Sequence, residues 1–306
     1  MLINVLKKHI ESYAKGNILR LRVGGLLITL IVISISGTCG WIIERFYFAE
    51  SPAIKLLGLI SLIFSLASAI AYRSLYISVL EILNSLQNIC SQKDLDLARN
   101  KLQQIVGRET NNLDRTEILR AAAESTSENS VDGVFAPIFW MIIGLLLWNF
   151  STNLPGPLSL AWIFKASSTL DSMLGYKKGT LIWLGYTGAK LDDLLTWIPC
   201  RIVFITLPLI SKQWSAIPKV LKEAWIDGSK DKSPNSGLSE AIFAHCFQIK
   251  MGGENKYNNK IVKKEILAKD APEANEVSIK NMLKSIIYLQ LFWIVLSTLI
   301  MNLILI

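Results

Sequence analysis

Four long stretches of this chain contain no charged side chain: Gly24 to Ile43, Leu56 to Tyr72, Gly133 to Phe164 and Ser285 to Ile306. About 20 apolar residues in helical form cross the hydrocarbon core of a bilayer. Within that core only helices and closed barrels satisfy their own backbone polar groups. Four such runs in 306 residues, in a chain that is 51% hydrophobic, argue against one buried soluble core. The expected fold is an all-α, polytopic integral membrane protein with about four to five membrane segments, including a hairpin, and cytoplasmic helical loops. The run from Gly24 is too long for a signal-peptide core, follows five basic residues and is followed by Glu44 rather than a small-residue cleavage site.

The formal net charge is +8, but the basic residues gather beside the apolar runs and no nucleic-acid recognition motif surrounds them. Nucleic acid is therefore not an expected partner, whereas the lipid bilayer is. Lys7, Lys8, Lys15, Arg20 and Arg22 precede the first run against a single Glu11, so the N-terminus is expected in the cytoplasm. Cys39, Cys90, Cys200 and Cys246 are scattered without CxxC pairing, which does not indicate a disulfide framework. With only His9 and His245 beside them, a Cys/His zinc site is not expected either.

The chain reads as a single membrane domain, 1–306, containing a cytoplasmic helical lobe at 73–132 and a cytoplasmic loop at 212–284. Leu75, Val79, Ile82, Leu83 and Leu86 mark one apolar helix face. Ser91 with Asp94 and Asp114 with Glu117 fit capping boxes that open two further helices. Leu154-Pro155-Gly156-Pro157 interrupts the run from Gly133, predicting a hairpin with legs near 134–150 and 158–164 that returns Lys165 to the cytoplasmic side. The uncharged piece Ile202 to Ser211 is short, and is expected to lie in the interface or to re-enter. The loop at 212–284, punctuated by Ser233-Pro234-Asn235-Ser236-Gly237 and Met251-Gly252-Gly253, is expected to hold helical pieces. No P-loop, GxGxxG, GxSxG or HExxH pattern is present.

Chemistry is expected where a polar helix runs into the third apolar stretch. Glu124, Glu128 and Asp132 fall at i, i+4 and i+8, so on one helix they share a face and repel by ~0.2–0.5 kcal/mol per pair. A bound cation removes that penalty, and three carboxylates beside Ser125 and Asn129 suit Mg²⁺. The bland alternative makes Asp132 a helix cap and leaves the glutamates solvated. Asp171 follows the hairpin with Lys165 and Lys177 nearby, and Asp192-Asp193 precede Arg201, which suits bidentate phosphate or carboxylate contact. Each of these alone also fits an anchor at a membrane edge.

Taken in order, these segments resemble the adenosylcobinamide-phosphate synthase family of cobalamin biosynthesis, CobD/CbiB. The stretch Glu124-Ser-Thr-Ser-Glu-Asn-Ser-Val-Asp-Gly-Val-Phe-Ala-Pro-Ile-Phe-Trp140 is similar to that family's E-S-x-x-E-N-x-x-D-G-x-x-A-P-x-F-W signature over its whole length. Pro155-Gly-Pro157, Lys165 to Tyr176, Leu191-Asp-Asp193 with Trp197-Ile-Pro-Cys-Arg201, and Ser233 to Gly237 resemble its later blocks. There are departures: the family's opening apolar segment with D-P and H-P has no counterpart here, Asp231 stands where a histidine is usual, and Glu254 to Asn259 replaces a Gly-rich ending.

The resemblance implies an ATP-dependent amide ligation in which adenosylcobyric acid and aminopropanol or its phosphate give adenosylcobinamide or its phosphate. It implies Mg²⁺, ATP as co-substrate, a corrinoid and an amino alcohol phosphate as partners, and a multi-pass location in the cell membrane with the active site facing the cytoplasm. Self-association into a homo-oligomer is left open. The residues implicated as catalytic are Glu124, Glu128, Asp132, Asn129 and Asp171, of which Glu124, Glu128 and Asp132 are the metal set. Lys165, Asp192, Asp193, Arg201 and Asn235 are the substrate-binding set, with Asp171 and Asp192 assisting metal or amine binding. The rival from another class is a small-solute membrane transporter, whose polar groups would line a path through the bilayer.

Overall fold

A computed structural model describes residues 2–87, 92–176, 178–257 and 260–304. In chain order the helices are α1 (Leu2–Ala14), α2 (Ile18–Tyr47), α3 (Pro52–Ala69), α4 (Tyr72–Gln87), α5 (Gln92–Gln103) and α6 (Arg115–Ser130). A single π-helical turn, Val131–Phe135, joins α6 to α7 (Ala136–Phe150). There follow α8 (Pro157–Leu174), α9 (Leu181–Leu184), α10 (Tyr186–Ser211), α11 (Ile217–Gly228) and α12 (Ser236–Phe247). Strands β1 (Met251–Tyr257) and β2 (Lys260–Leu267) form an antiparallel pair before α13 (Glu276–Ile304). Among the described residues, five helical segments are long and apolar enough to cross a membrane: Ile18–Tyr47, Pro52–Leu86, Arg115–Phe150, Tyr186–Ser211 and Glu276–Leu303. The chain divides into two compact units, one of residues 1–70 and 136–196, the other of 71–135 and 197–306.

The first unit is built on α2, α3, α7 and α8. Glycines let their backbones meet: a Cβ on Gly40 would press on the Ser159 backbone, and one on Gly144 would overlap Gly156. Such close approach is the usual means of holding helices together where lipid removes the hydrophobic drive. The Ser159 hydroxyl donates to the Gly37 carbonyl at 2.8 Å, while Leu170 and Leu174 pack into a core with Leu21, Ile28 and Leu184. Helix α8 therefore runs antiparallel along α2, from its Glu44 end to its Leu21 end. The hairpin expected from Pro155-Gly-Pro157 is present, with a return leg that extends to Leu174.

Glu44, on α2, caps the return leg of that hairpin. It is fully buried, and its carboxylate accepts the backbone N–H groups of Leu158 (2.7 Å), Gly156 (2.9 Å) and Ser159 (3.0 Å). These are orphan donors at the start of α8, where Pro157 has no N–H to satisfy, and a negative charge there also meets the positive end of the helix. The following helix α10 is one continuous element rather than the ten-residue apolar piece that the charge pattern predicts, and it contains Pro199 and Pro208. Pro199 cannot donate to the Leu195 carbonyl one turn back, and the Trp140 indole N–H takes that oxygen at 3.1 Å.

The second unit contains the lobe. The apolar face expected on α4 is buried, with Leu75, Val79, Ile82, Leu83 and Leu86 all inside. The Asp114–Glu117 capping box is complete, each side chain accepting the other residue's backbone N–H at 2.8 and 3.0 Å. The cap proposed at Ser91 lies outside the described residues. Helix α6 is enclosed because its centre is made of small residues, Ala121 to Ala123 and Ser125 to Ser127, which admit neighbours on most sides. The stretch 212–284 holds the expected helical pieces, α11 and α12, together with a β-hairpin that the sequence pattern does not predict. Its strands lack apolar alternation and face solvent over most of β2, so no period-2 signal marks them.

Candidate active site

The polar stripe of α6 is split by its surroundings. Glu124 is buried, whereas Glu128 and Asn129 are exposed and Asp132 is half-buried in the π-helical turn. Glu124 accepts Arg108 Nη2 at 2.5 Å, Arg120 Nη1 at 3.5 Å and the Gly252 N–H at 2.7 Å. Arg108, itself buried, also donates to Asn255 Oδ1, and Arg120 donates to the carbonyls of Gly252 and Glu254. Both arginines are thus tied to β1 through one carboxylate. Gly252 and Gly253 have φ of +83° and +93°, and the strand register shifts between Met251 and Gly253. This bulge turns the Gly252 N–H toward Glu124, and a side chain there would overlap the Glu265 carbonyl oxygen.

A second buried carboxylate, Glu240 on α12, accepts Lys264 Nζ at 2.7 Å. Burial pushes the Glu240 carboxyl up to about 8; the Lys264 ammonium opposes that rise and the charges of Glu124 and Glu128 add to it. Burial alone would lower Lys264, but the charges of Glu240, Glu128 and Asp231 outweigh it and hold the ammonium protonated well above its usual range. Burial also raises the Tyr257 hydroxyl on β1, within reach of the same charges. Glu124, Glu128, Glu240, Lys264, Arg108 and Tyr257 therefore form one electrostatic cluster.

The other end of the stripe meets α10. Asp132 lies within electrostatic reach of Cys200, whose thiol donates to the Asn235 carbonyl at 3.3 Å. The neighbouring Arg201 donates to Asn235 Oδ1 (2.8 Å), the Pro234 carbonyl (2.9 Å) and the Trp197 carbonyl (3.0 Å), with its guanidinium 4.3 Å from the centre of the Trp197 ring. These neutral partners fix the orientation of the guanidinium. The turn that presents Asn235 is itself held: Asp231 Oδ1 accepts the Ser233 N–H at 2.8 Å, and Ser233 Oγ accepts the N–H groups of Ser236 and Asn235. Asp231 thus helps to hold the turn that presents Asn235.

Asp192 and Asp193, read beside Arg201 in sequence, belong to the other unit. There they come within electrostatic reach of Asp171, and Lys190 pairs with Asp193 at 3.4 Å. Lys165 lies on α8, half-buried, one and a half turns before Asp171; Lys177 lies outside the described residues. Sequence reasoning missed Arg108, Arg120, Glu240 and Lys264. Only Arg120 carried a signal, its i, i+4 spacing to Glu124.

Among the described residues no three acidic, histidine or cysteine side chains are grouped so as to hold a metal ion. Glu124 in particular has both oxygens engaged by arginines and a backbone N–H. Glu128 and Asp132 are carboxylates of the kind that Mg²⁺ takes, one or two at a time, completing its shell with water and substrate phosphate.

A family profile described as CobD/Cbib protein matches residues 1–286. The Cobalamin biosynthesis protein CobD of Synechocystis sp. is 40% identical over 250 residues, covering 80% of this chain and 68% of that protein. The protein of the same name from Yersinia enterocolitica is 32% identical over 286 residues, 93% of this chain and 83% of the relative. That from Clostridium acetobutylicum is 33% identical over 287 residues, 94% and 84% of the two chains. No solved structure matches.

Proposed function

The chain belongs to the CobD/CbiB family, and from that premise we propose that it acts in cobalamin biosynthesis by joining adenosylcobyric acid to aminopropanol or its phosphate, with consumption of ATP. The observation that carries this reading is the Glu124 to Trp140 signature, whose Glu124 sits in a buried ion network and whose Asp132 lies within electrostatic reach of Cys200, next to the guanidinium of Arg201 that Asn235 and Trp197 hold in place. Amide formation from a carboxylic acid requires an oxygen to leave, and then an amine to attack the same carbon. Mg²⁺ with ATP supplies the phosphoryl group that makes this oxygen a leaving group.

The chain's own residues bind and orient. Arg201 offers two N–H directions and a full positive charge to a phosphate or carboxylate, held in place by Asn235 and the Trp197 ring. Lys264, paired with Glu240 at 2.7 Å, balances the negative charge of Glu240 and Glu128. Glu128 and Asp132 hold the metal or take up a proton, and Asn129, anchored by its Nδ2 to Ser125 at 2.9 Å, orients a substrate amide. Glu124 acts as the counter-ion that positions Arg108, Arg120 and the β1 bulge.

The test is product formation by membranes carrying the protein, supplied with adenosylcobyric acid, ATP, Mg²⁺ and aminopropanol phosphate. Wild type should form the amide, and Asp132→Asn should lose about a hundredfold of the rate or more while remaining folded. Asn caps a helix about as well as Asp, so an Asp132→Asn variant that keeps most of the activity would make Asp132 a cap and sink its part in the site.

A further inference from the structure

The start of α2 carries a feature that the proposed reaction does not use. Lys15 and Gly16, with φ of +47° and +80°, reverse the chain, and α1 folds back against α2 until Ile10 fills the place that a Cβ on Gly24 would take. Between the two helices lies a groove of about 290 Å³, lined by Ile10, Tyr13, Leu19, Val23 and Leu27 and by one charged side chain, Arg20. That volume is at the small end of ligand pockets, and an apolar lining with a single charge suits a narrow apolar chain with an anionic head.

The groove lies at the level of the membrane surface. The charge-free run begins at Gly24, so the residues just before it sit among the headgroups. Arg22 marks the same level: its guanidinium lies 4.6 Å from the centre of the Trp183 ring and 5.5 Å from that of Tyr186, and Trp and Tyr are the side chains that collect where headgroups meet hydrocarbon. Leu19, Val23 and Leu27 recur every four residues and are all exposed, so they form a stripe that runs about 12 Å along α2 into the span. An exposed apolar stripe is ordinary on a membrane helix. This one differs in having α1 as a wall beside it and a cation at its head.

Arg20 is held in place. Its backbone N–H donates to Asn17 Oδ1 at 3.1 Å, and its guanidinium lies 5.4 Å from the centre of the Tyr13 ring, which lines the groove with it. The charge around it in the chain is almost all of one sign. Lys7, Lys8, Lys15 and Arg22 flank it, Glu11 is the one acid of α1 and accepts the Thr180 hydroxyl at 2.7 Å, and no further acid follows before Glu44. A phosphate at Arg20 is therefore attracted by the whole flank, and a guanidinium offers it two parallel N–H donors.

We propose that the groove between α1 and α2 binds one anionic phospholipid, with its phosphate on Arg20 and an acyl chain along Leu19, Val23 and Leu27. Anionic lipids are concentrated in the cytoplasmic leaflet, the side on which the basic flank is expected. A soluble phosphate ester has the head without the chain and leaves the apolar stripe uncovered. A phosphatidylcholine has the chain, but its headgroup brings a second positive charge into a basic flank. The site does not depend on which reaction the chain performs, and it is tested without one.

The full chain, purified in a non-ionic detergent, is titrated with dioleoylphosphatidylglycerol or dioleoylphosphatidylcholine, and bound lipid is counted by native mass spectrometry. Wild type should retain one phosphatidylglycerol and hold phosphatidylcholine more weakly. Arg20→Gln should weaken phosphatidylglycerol binding about fivefold or more, and Val23→Trp, which fills the groove and removes no charge, should weaken both lipids. Lys8→Gln, an equal loss of charge outside the groove, should change binding by less than about twofold. Equal losses in Arg20→Gln and Lys8→Gln would mean diffuse attraction to the flank and would overturn the site, as would a wild type that binds the two lipids alike. Displacement of the lipid by excess glycerol phosphate would assign the groove to a free phosphate ester, and a wild-type dimer that Val23→Trp turns into a monomer would assign it to a second copy; either refutes the proposal. Helical circular dichroism checks that the variants fold, and should Val23→Trp fail to, the comparison of Arg20→Gln with Lys8→Gln still decides.

Discussion

Replacing Glu124 by glutamine separates a metal ligand from a structural counter-ion. The Arg108–Glu124 pair is 2.5 Å long with side chains only 5% and 7% exposed. Two unit charges about 4 Å apart interact by about 4 kcal/mol at an effective dielectric constant of about 20. Removing one partner of a buried pair commonly costs about 3–5 kcal/mol, because the remaining charge stays buried. Arg108 keeps its bond to Asn255, and the amide oxygen of the substituted side chain can still accept one N–H, so we expect a loss of about 3 kcal/mol. For a unit of this size that lowers Tm by roughly 6–12 °C. Thermal unfolding of the detergent-solubilised protein, followed by loss of helical circular dichroism, measures it. Arg108→Gln should lose a similar amount, and the double variant Glu124→Gln with Arg108→Gln should lose less than the two added together, since neither charge is then stranded. If Glu124→Gln melts within about 2 °C of wild type and only its Mg²⁺ dependence changes, the counter-ion account is wrong and Glu124 is a metal ligand.

Gly252→Ala should destabilise the same network, because the positive φ and the adjacent Glu265 carbonyl leave no room for a Cβ; a limited digest should then cut the β-hairpin faster than in wild type. Glu44→Ala should lose about 3 kcal/mol or more by stranding three backbone donors at the start of α8, read as a lower Tm, and an unchanged Tm would show that water serves them instead. The basic N-terminal flank predicts that a cysteine placed at Lys230 resists an impermeant thiol reagent applied to intact cells and reacts after lysis.

What could be read from the sequence was what depends on neighbours along the chain. Membrane character followed from the length of the charge-free runs, because the cost of placing charge in hydrocarbon accumulates residue by residue. The Asp114–Glu117 cap, the α4 apolar face and the turn at Pro155-Gly-Pro157 were legible for the same reason, each being set by spacings of one to four residues. The continuity of α10 was not, since Lys190, Asp192, Asp193 and Arg201 look like the end of a span until their partners are known.

The acids show the limit most clearly. Glu124, Glu128 and Asp132 are equivalent on a helical wheel, and nothing in their spacing says that only the first is buried against two arginines. Arg108 is 16 residues from Glu124 and the Gly252 N–H is 128 away, so their convergence is a product of how α6 and β1 pack. Glu44, which ended an apolar run as an ordinary charged flank, became a buried cap of a helix more than a hundred residues later. The physical reason is the range of the forces involved. Partitioning into a membrane sums over a local stretch, whereas the role of a carboxylate is decided by desolvation and by the few donors within about 3 Å, and those are supplied by chain that only the tertiary fold brings near.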